Sequence, residues 1–420
     1  MRRCVLMIID GLRADMLNDD YTPALAAIAR HSTVFSRHRA VFPSATRINS
    51  ASIATGCYPQ RHGLGGNAIA LDEGQGLRPV SVGAADFRDR WRRATGHTLK
   101  VPTLVERLRG RGNAVIYSNS SAGAAHMQDP DSHGFLYHRS GSFGPDRTAI
   151  CGPAHLDVSY DARGDDETTR RFCTALESGE KAALHVLWVC EPDHSQHQLE
   201  LGSAAHREIL LGADLRARQV AECVERLRGR GEEVLFILAS DHGHETATAI
   251  VPVTTLLREQ GFIDSEDSTD IVLASSGMSA GLYFASAAKP RREAVADWLR
   301  AQDWCGEVFC AEELAQLQLA TDTPLQIVFS MAKQPGSNPH GIPGLGAVAA
   351  DPFMTSDCIG HGQHGGLGEY ECHPFLLVCG EKFAPGERTR PSSAVDIAPT
   401  LLEFLGQPYT DMDGEPLPKR

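Results

Sequence analysis

The chain has 420 residues, with 53 Asp+Glu against 40 Lys+Arg and a formal net charge of −13. Apolar residues at 42% and charged residues at 22% describe a folded chain and exclude a disordered one. The acidic balance excludes nucleic-acid polymers and anionic membranes as the main partners, and no apolar run reaches the ~18 residues that span a bilayer.

Met1-Arg2-Arg3 leads directly into CVLMIID (4–10), which reads as a buried strand ending at Asp10. A secretory apolar core with a small-residue cleavage site is not seen there. The eleven cysteines are scattered without a C-x-x-C pair, so reduced thiols and a cytoplasmic location are expected. A helix follows at 22–32, with Thr22 as N-cap and Pro23 in the first helical position. Further strands are predicted at 113–120, 184–191, 233–240 and 373–380. Their near-continuous Val/Ile/Leu content indicates burial on both faces and hence a largely parallel sheet.

The octapeptide VERLRGRG occurs at 105–112 and 224–231, each time before a strand. Arginines near the helix C-terminus followed by glycine explain it as a helix stop. The segments 58–95 and 118–135 read as long polar loops, of the kind that serve a site. Between 281 and 314 a strand, a helix (292–302) and a strand resemble a small β-α-β unit. The expected organisation is a core of residues 1–264 and 351–420 with an accessory lobe, 265–350, inserted into it or packed on it.

Three predicted strands end in aspartate: Asp10, Asp193 and Asp241. Ligands bind beyond the carboxyl ends of strands in open α/β sheets, and carboxylates gathered there repel unless a cation sits among them. Histidines accompany them. His242 is adjacent to Asp241, His197 lies four residues after Asp193, and GHGQHGG (360–366) offers His361 and His364. Carboxylate with imidazole suits zinc, or manganese, better than calcium or magnesium. A second element, FPSATRINSASIATGCYPQRHG (42–63), reads as a turn at Pro43-Ser44 and a helix from Thr46 to Thr55, stopped by Gly56. A hydroxyl at a helix N-terminus sits where phosphate binds.

IIDGLR (8–13), the Thr46 segment, EPDHSQH (191–197), SDHGH (240–244), GQHGG (362–366) and VDIAPTLLEFLG (395–406), in this order, resemble the alkaline phosphatase superfamily. The likeness is greatest to its nucleotide pyrophosphatase/phosphodiesterase branch, with phosphonoacetate hydrolase related. The resemblance implies an α/β three-layer sandwich with a largely parallel central sheet and a small inserted α+β lobe. It implies a two-zinc phosphoryl hydrolase, manganese being the other metal considered, acting on a small-molecule phosphoryl substrate. Carried over residue by residue, Thr46 is the nucleophile. Asp193, His197 and His364 hold one metal, and Asp10, Asp241, His242 and the Thr46 oxygen the other. Asn67, in GLGGN, and the backbone N–H of Arg47 bind phosphoryl oxygen. The Arg47 side chain, which the branch's pattern does not share, is expected from its charge to add a positive contact to an anionic substrate.

The chain departs from the resemblance in places. Phosphodiesterases of the branch usually have Lys-Thr-Phe-Pro-Asn at the nucleophile, where Ala45-Thr46-Arg47-Ile48-Asn49 stands here. Phosphonoacetate hydrolases carry lysines after the strand that here continues as Ser118-Asn119-Ser120. The sulfatase signature is missing. Phosphodiester or nucleotide-pyrophosphate hydrolysis through a phosphothreonine is the expected activity. A phosphonate hydrolase, a phosphomonoesterase, a phosphomutase and a metal-binding protein without turnover are the alternatives. His62 reads as a packing residue, His194 and His244 as residues that support ligands, and His361 as the rival of His364.

Overall fold

The computed structural model describes residues 2–178, 182–350, 352–353 and 357–419. Its centre is a ten-stranded sheet. The spatial order is Gly386–Arg388, Thr33–Phe35, Leu376–Cys379, Glu233–Ala239, Arg2–Ile9, Leu184–Val189, Ala114–Ser118, Phe135–His138, Ser142–Phe143 and Ala149–Ile150. Five successive strands, from Glu233–Ala239 through Arg2–Ile9 to Phe135–His138, run parallel, with Leu6 opposite Val186 on one side and Ile237 on the other.

Alternation along the first strand explains its unbroken apolar run. Cys4, Leu6 and Ile8 join one apolar cluster with Ile48, Ile53, Val105 and Leu401. Val5, Met7 and Ile9 join another with Leu25, Phe172, Leu210 and Val220. Helices Thr46–Thr55, Leu104–Leu108 and Ile397–Leu405 cover the first face, and Pro23–Ala29, Ala162–Glu177 and Ala204–Gly229 the second. The strand predicted at 373–380 is in the sheet but antiparallel to Glu233–Ala239. It follows the loop that crosses the sheet's carboxyl edge, so it enters from that edge and must run the opposite way.

Several local expectations are revised. Thr22 stands at the N-cap position, but its hydroxyl donates to Met16 O at 2.9 Å. The amides of Ala24 and Leu25 donate instead to the Asp214 carboxylate, at 2.9 and 2.7 Å. The segment 58–95 is not a loop. It holds a hairpin, Ala68–Asp72 with Leu77–Ser81, and a helix, Phe87–Thr95. Their apolar residues Leu71, Val80 and Trp91 pack with Val272, Tyr283 and Leu325. The segment 118–135 likewise contains helix Ala122–Gln128.

The β-α-β reading of 281–314 becomes a split unit. Strands Ser279–Phe284 and Cys305–Cys310 flank Leu325–Met331, antiparallel to both, and Ile271–Ser275 completes that sheet. Strands Lys333–Ser337 and Pro343–Ala349 belong to a separate sheet with Glu245–Val251 and Gly362–Gln363. Both VERLRGRG copies end a helix and lead into a strand, at Ala114 and Glu233. All eleven cysteines are free. Among the described residues, no helix is long and apolar enough to cross a membrane.

Candidate active site

The site is built where the parallel strands end. Arg2–Ile9 delivers Asp10, and Glu233–Ala239 leads to Asp241 and His242. Leu184–Val189 leads through Glu191-Pro192 to Asp193, which opens the short helix Asp193–Gln196. His364 comes from the loop after strand Gly362–Gln363, whose partner Glu245–Val251 begins just past His244. The backbone at Gly11 has φ +72°, and a Cβ there would stand 2.8 Å from His244 Nε2 and 2.9 Å from the Asp193 Cβ. Only glycine lets the chain turn this closely past the two residues.

Two groups of ligand-type atoms result. Asp10, Asp241 and His242 form one, and Asp193, His242, His244 and His364 the other, all buried. His242 Nε2 lies 3.5 Å from Asp10 Oδ1, 3.3 Å from Asp241 Oδ2 and 3.9 Å from Asp193 Oδ1. It therefore stands at the junction of both groups. His364 Nε2 is 3.6 Å from Asp193 Oδ1 and His197 Nε2 is 3.5 Å from it. His197 is partly exposed and lies outside the tighter group, whereas His244 Nε2 stands 2.8 Å from the same oxygen. His364 is in this group and His361 is not.

Carbonyl partners set the tautomers. A carbonyl only accepts, so His242 Nδ1 donates to Gly243 O at 3.1 Å and His364 Nδ1 donates to Ser44 O at 3.0 Å. Both Nε2 lone pairs are thereby turned toward the carboxylates, the arrangement that metal-ligating histidines adopt.

The charges conflict without a cation. Burial raises the Asp10 pKa well above the carboxylate range, and repulsion from Asp241 and Asp193 adds to it. Hydrogen bonds from Ser120 Oγ and Trp188 Nε1, each 2.9 Å to Asp10 Oδ2, pull the other way. Burial also raises Asp241, and its Oδ2 is buried with no hydrogen-bond partner among the described residues. Burial and the neighbouring His242 push His364 well down, keeping it neutral. Acids crowded against imidazole nitrogens, with a carboxylate oxygen left unbonded, fit a divalent cation. Oxygen with nitrogen donors suits zinc or manganese.

Thr46 faces this cluster. It is the first residue of helix Thr46–Thr55, and its hydroxyl donates to Asp10 Oδ1 at 3.4 Å and lies 3.0 Å from His242 Nε2. Asn49 holds the approach to it. Its Oδ1 accepts from Val41 N at 2.8 Å, and its Nδ2 donates to the carbonyls of Val41, Pro43 and Ala45. Asn67 Oδ1 accepts from Arg47 N at 3.2 Å, so the N–H expected to face a phosphoryl oxygen is held by the Asn67 side chain. The Arg47 guanidinium donates to Asn67 O at 3.2 Å and packs on Gly83. His62 donates from Nε2 to Ser52 Oγ at 3.0 Å, away from the cluster, and the His194 ring lies against Tyr160. Ser120, Trp188 and Asn49 were not singled out for these roles from sequence.

The type I phosphodiesterase / nucleotide pyrophosphatase family matches residues 4–331. The chain belongs to this family. No curated protein matches it. Among solved structures, murine ectonucleotide pyrophosphatase/phosphodiesterase 5 aligns at 17% identity with a TM-score of 0.70, covering 99% of this chain and 98% of that one. An inactive threonine-to-alanine variant of the murine protein, in complex with AMP, aligns at 18% identity and 0.70 over the same shares. Phosphonoacetate hydrolase from Sinorhizobium meliloti 1021, in complex with phosphonoformate, aligns at 15% identity and 0.69, covering 97% of this chain and 95% of that one. The fold is therefore the alkaline-phosphatase-like three-layer sandwich. The family is one of hydrolases, and the buried Asp/His groups give this member a candidate metal site.

Proposed function

We propose that the chain is a two-metal hydrolase that cleaves phosphodiesters or nucleotide pyrophosphate-type bonds through a phosphothreonine at Thr46. The observation that carries this reading is the Thr46 hydroxyl at a helix N-terminus, 3.4 Å from Asp10 Oδ1 and 3.0 Å from His242 Nε2. Asp10, Asp241, His242 and the Thr46 oxygen would hold one ion, and Asp193, His197 and His364 the other, with His244 orienting Asp193. The ions, zinc or manganese, would neutralise phosphoryl charge and bring the pKa of water near 7.

The rest falls to the chain's own residues. Thr46 Oγ1 forms the bond to phosphorus as the bond to the leaving oxygen breaks, and water then hydrolyses the phosphothreonine and restores the hydroxyl. The Asn67 Nδ2 group is the donor for a phosphoryl oxygen, and Arg47 adds positive charge beside it. The antiparallel sheet of residues 271–331, packed on the hairpin 68–81, would read the leaving group. The AMP complex of the murine neighbour makes nucleoside phosphoryl compounds the first class to test. Free cysteines throughout support a reducing compartment, as expected for the cytoplasm.

The test is turnover of bis(p-nitrophenyl) phosphate, thymidine p-nitrophenyl phosphate, p-nitrophenyl phosphate and phosphonoacetate, with zinc and manganese in turn. The diesters are expected to lead. Phosphonoacetate as the best substrate would install the phosphonate reading, which rests on the Sinorhizobium neighbour. Thr46→Ala should abolish turnover and keep metal uptake. Full activity in that variant overturns the covalent route.

A further inference from the structure

Behind the His364 loop two buried carboxylates meet a partly exposed lysine, an ion cluster that the proposed chemistry does not use. The Glu371 side chain is fully buried. Its Oε2 accepts from Gly366 N at 2.7 Å and from Ser44 Oγ at 3.3 Å, and its Oε1 accepts from Gly368 N at 2.9 Å. Lys333 Nζ donates to the same Oε1 and forms an ion pair with Glu245 Oε2 at 2.8 Å. Glu245 in turn accepts from Tyr370 N at 3.1 Å and pairs with Gln363 across the small sheet. Two buried carboxylates thus share one ammonium. Burial works against the Lys333 charge, and the carboxylates override it and raise its pKa.

The cluster joins the two halves of the site through Ser44. The Ser44 carbonyl accepts from His364 Nδ1 at 3.0 Å, and its hydroxyl donates to Gly366 O at 2.9 Å. Ser44 lies two residues before Thr46, so the same carboxylate that holds Gly366 and Gly368 also touches the turn that presents Thr46. Gly365, at φ +102°, sits so close to Ser276 O that an added Cβ would overlap it. The loop therefore has little room to find another path.

We propose that Glu371, Lys333 and Ser44 are positioning residues that set His364 against Asp193 and the Thr46 turn. The inference rests on the reading of His364 as a metal ligand. Lys333→Met leaves two buried carboxylates facing each other without a counter-charge. Ser44→Ala removes the hydroxyl without burying a new charge. Both loosen the loop that carries His364 and leave Asp10, Asp241 and His242 in place.

The experiment loads wild type, Lys333→Met, Lys333→Arg, Glu371→Gln and Ser44→Ala with zinc. It then counts the equivalents retained against a chromophoric chelator and measures kcat and KM on bis(p-nitrophenyl) phosphate and circular dichroism. Wild type should hold two equivalents. Lys333→Met, Glu371→Gln and Ser44→Ala should bind one of them at least tenfold more weakly, with kcat falling more than KM rises. Lys333→Arg should recover part of the loss. If Lys333→Met does not fold, Ser44→Ala decides alone. A wild type that binds no zinc sinks the metal reading itself. A wild type with two equivalents whose folded variants lose neither, or lose both together, overturns the positioning role.

Discussion

Trp188 Nε1 donates to Asp10 Oδ2 at 2.9 Å, joining two adjacent strands of the sheet at the point where one of them releases its carboxylate into the site. Ser120 Oγ holds the same oxygen from the next strand over. Trp188→Phe keeps most of the packing and deletes a donor to a buried acid. It should lower unfolding free energy by about 1–3 kcal/mol and reduce kcat. Urea unfolding monitored by circular dichroism, alongside turnover, checks both. An unchanged midpoint in urea would show that Ser120 suffices.

Gly11→Ala tests the tightness of the turn past the site. Its Cβ would meet His244 and Asp193, and its φ of +72° disfavours any other residue. The strain alone should cost about 1–3 kcal/mol. Metal uptake should weaken as well, because the clash pushes on Asp193. Equilibrium dialysis of zinc separates this from simple destabilisation.

Stripping metal should destabilise the protein reversibly. Asp10 and Asp241 are buried beside each other, and burial with mutual repulsion raises the Asp10 pKa despite the hydrogen bonds from Ser120 and Trp188. Dialysis against a chelator should lower the thermal midpoint, and zinc at a hundred times its Kd should restore about 2.7 kcal/mol. Calcium should restore less, given the imidazole donors.

His62 is fully buried, and burial pushes its pKa down to about 3 from 6.5. Its Nδ1 accepts from Leu64 N and its Nε2 donates to Ser52 Oγ, so the folded state holds the neutral ring. Between pH 6.5 and about 3 the unfolded chain binds a proton that the folded chain refuses. Stability therefore falls with falling pH across that window, by up to about 1.4 kcal/mol per pH unit from this residue. His62→Gln should flatten the slope of unfolding free energy against pH, measured from pH 6.5 to 4.5.

Asp214→Ala should cost about 0.5–2 kcal/mol by uncapping helix Pro23–Ala29 and leave turnover untouched. Thr22→Val, by contrast, removes only the hydrogen bond to Met16 O. Thermal melts of the two variants distinguish the caps.

This cap also marks where sequence reading stops. Thr22 before Pro23 is a local signal, while the true acceptor is 190 residues away on another helix. The strands were legible because burial on both faces leaves an unbroken apolar run, as at Val5 to Ile9. Asp10, Asp193 and Asp241 were legible because each ends such a run. His244 reads from sequence as a supporting residue, whereas the fold places its Nε2 2.8 Å from Asp193 Oδ1, among the ligand-type atoms. The hairpin at 68–81 was not legible, since its apolar residues are spread among glycines and charges and find their partners only at 272–325. Glu371 carries no local sequence signal. Its partners Ser44 and Lys333 lie 327 and 38 residues away, and only the fold brings the three together.

Strand Arg2–Ile9 stands in the middle of the finished sheet. It takes its neighbours from Leu184–Val189 and Glu233–Ala239, both far along the chain, so neither edge of this buried strand is satisfied by local pairing. Closing the sheet therefore waits on long-range contacts, and a chain lacking either partner would leave an open apolar edge to other chains.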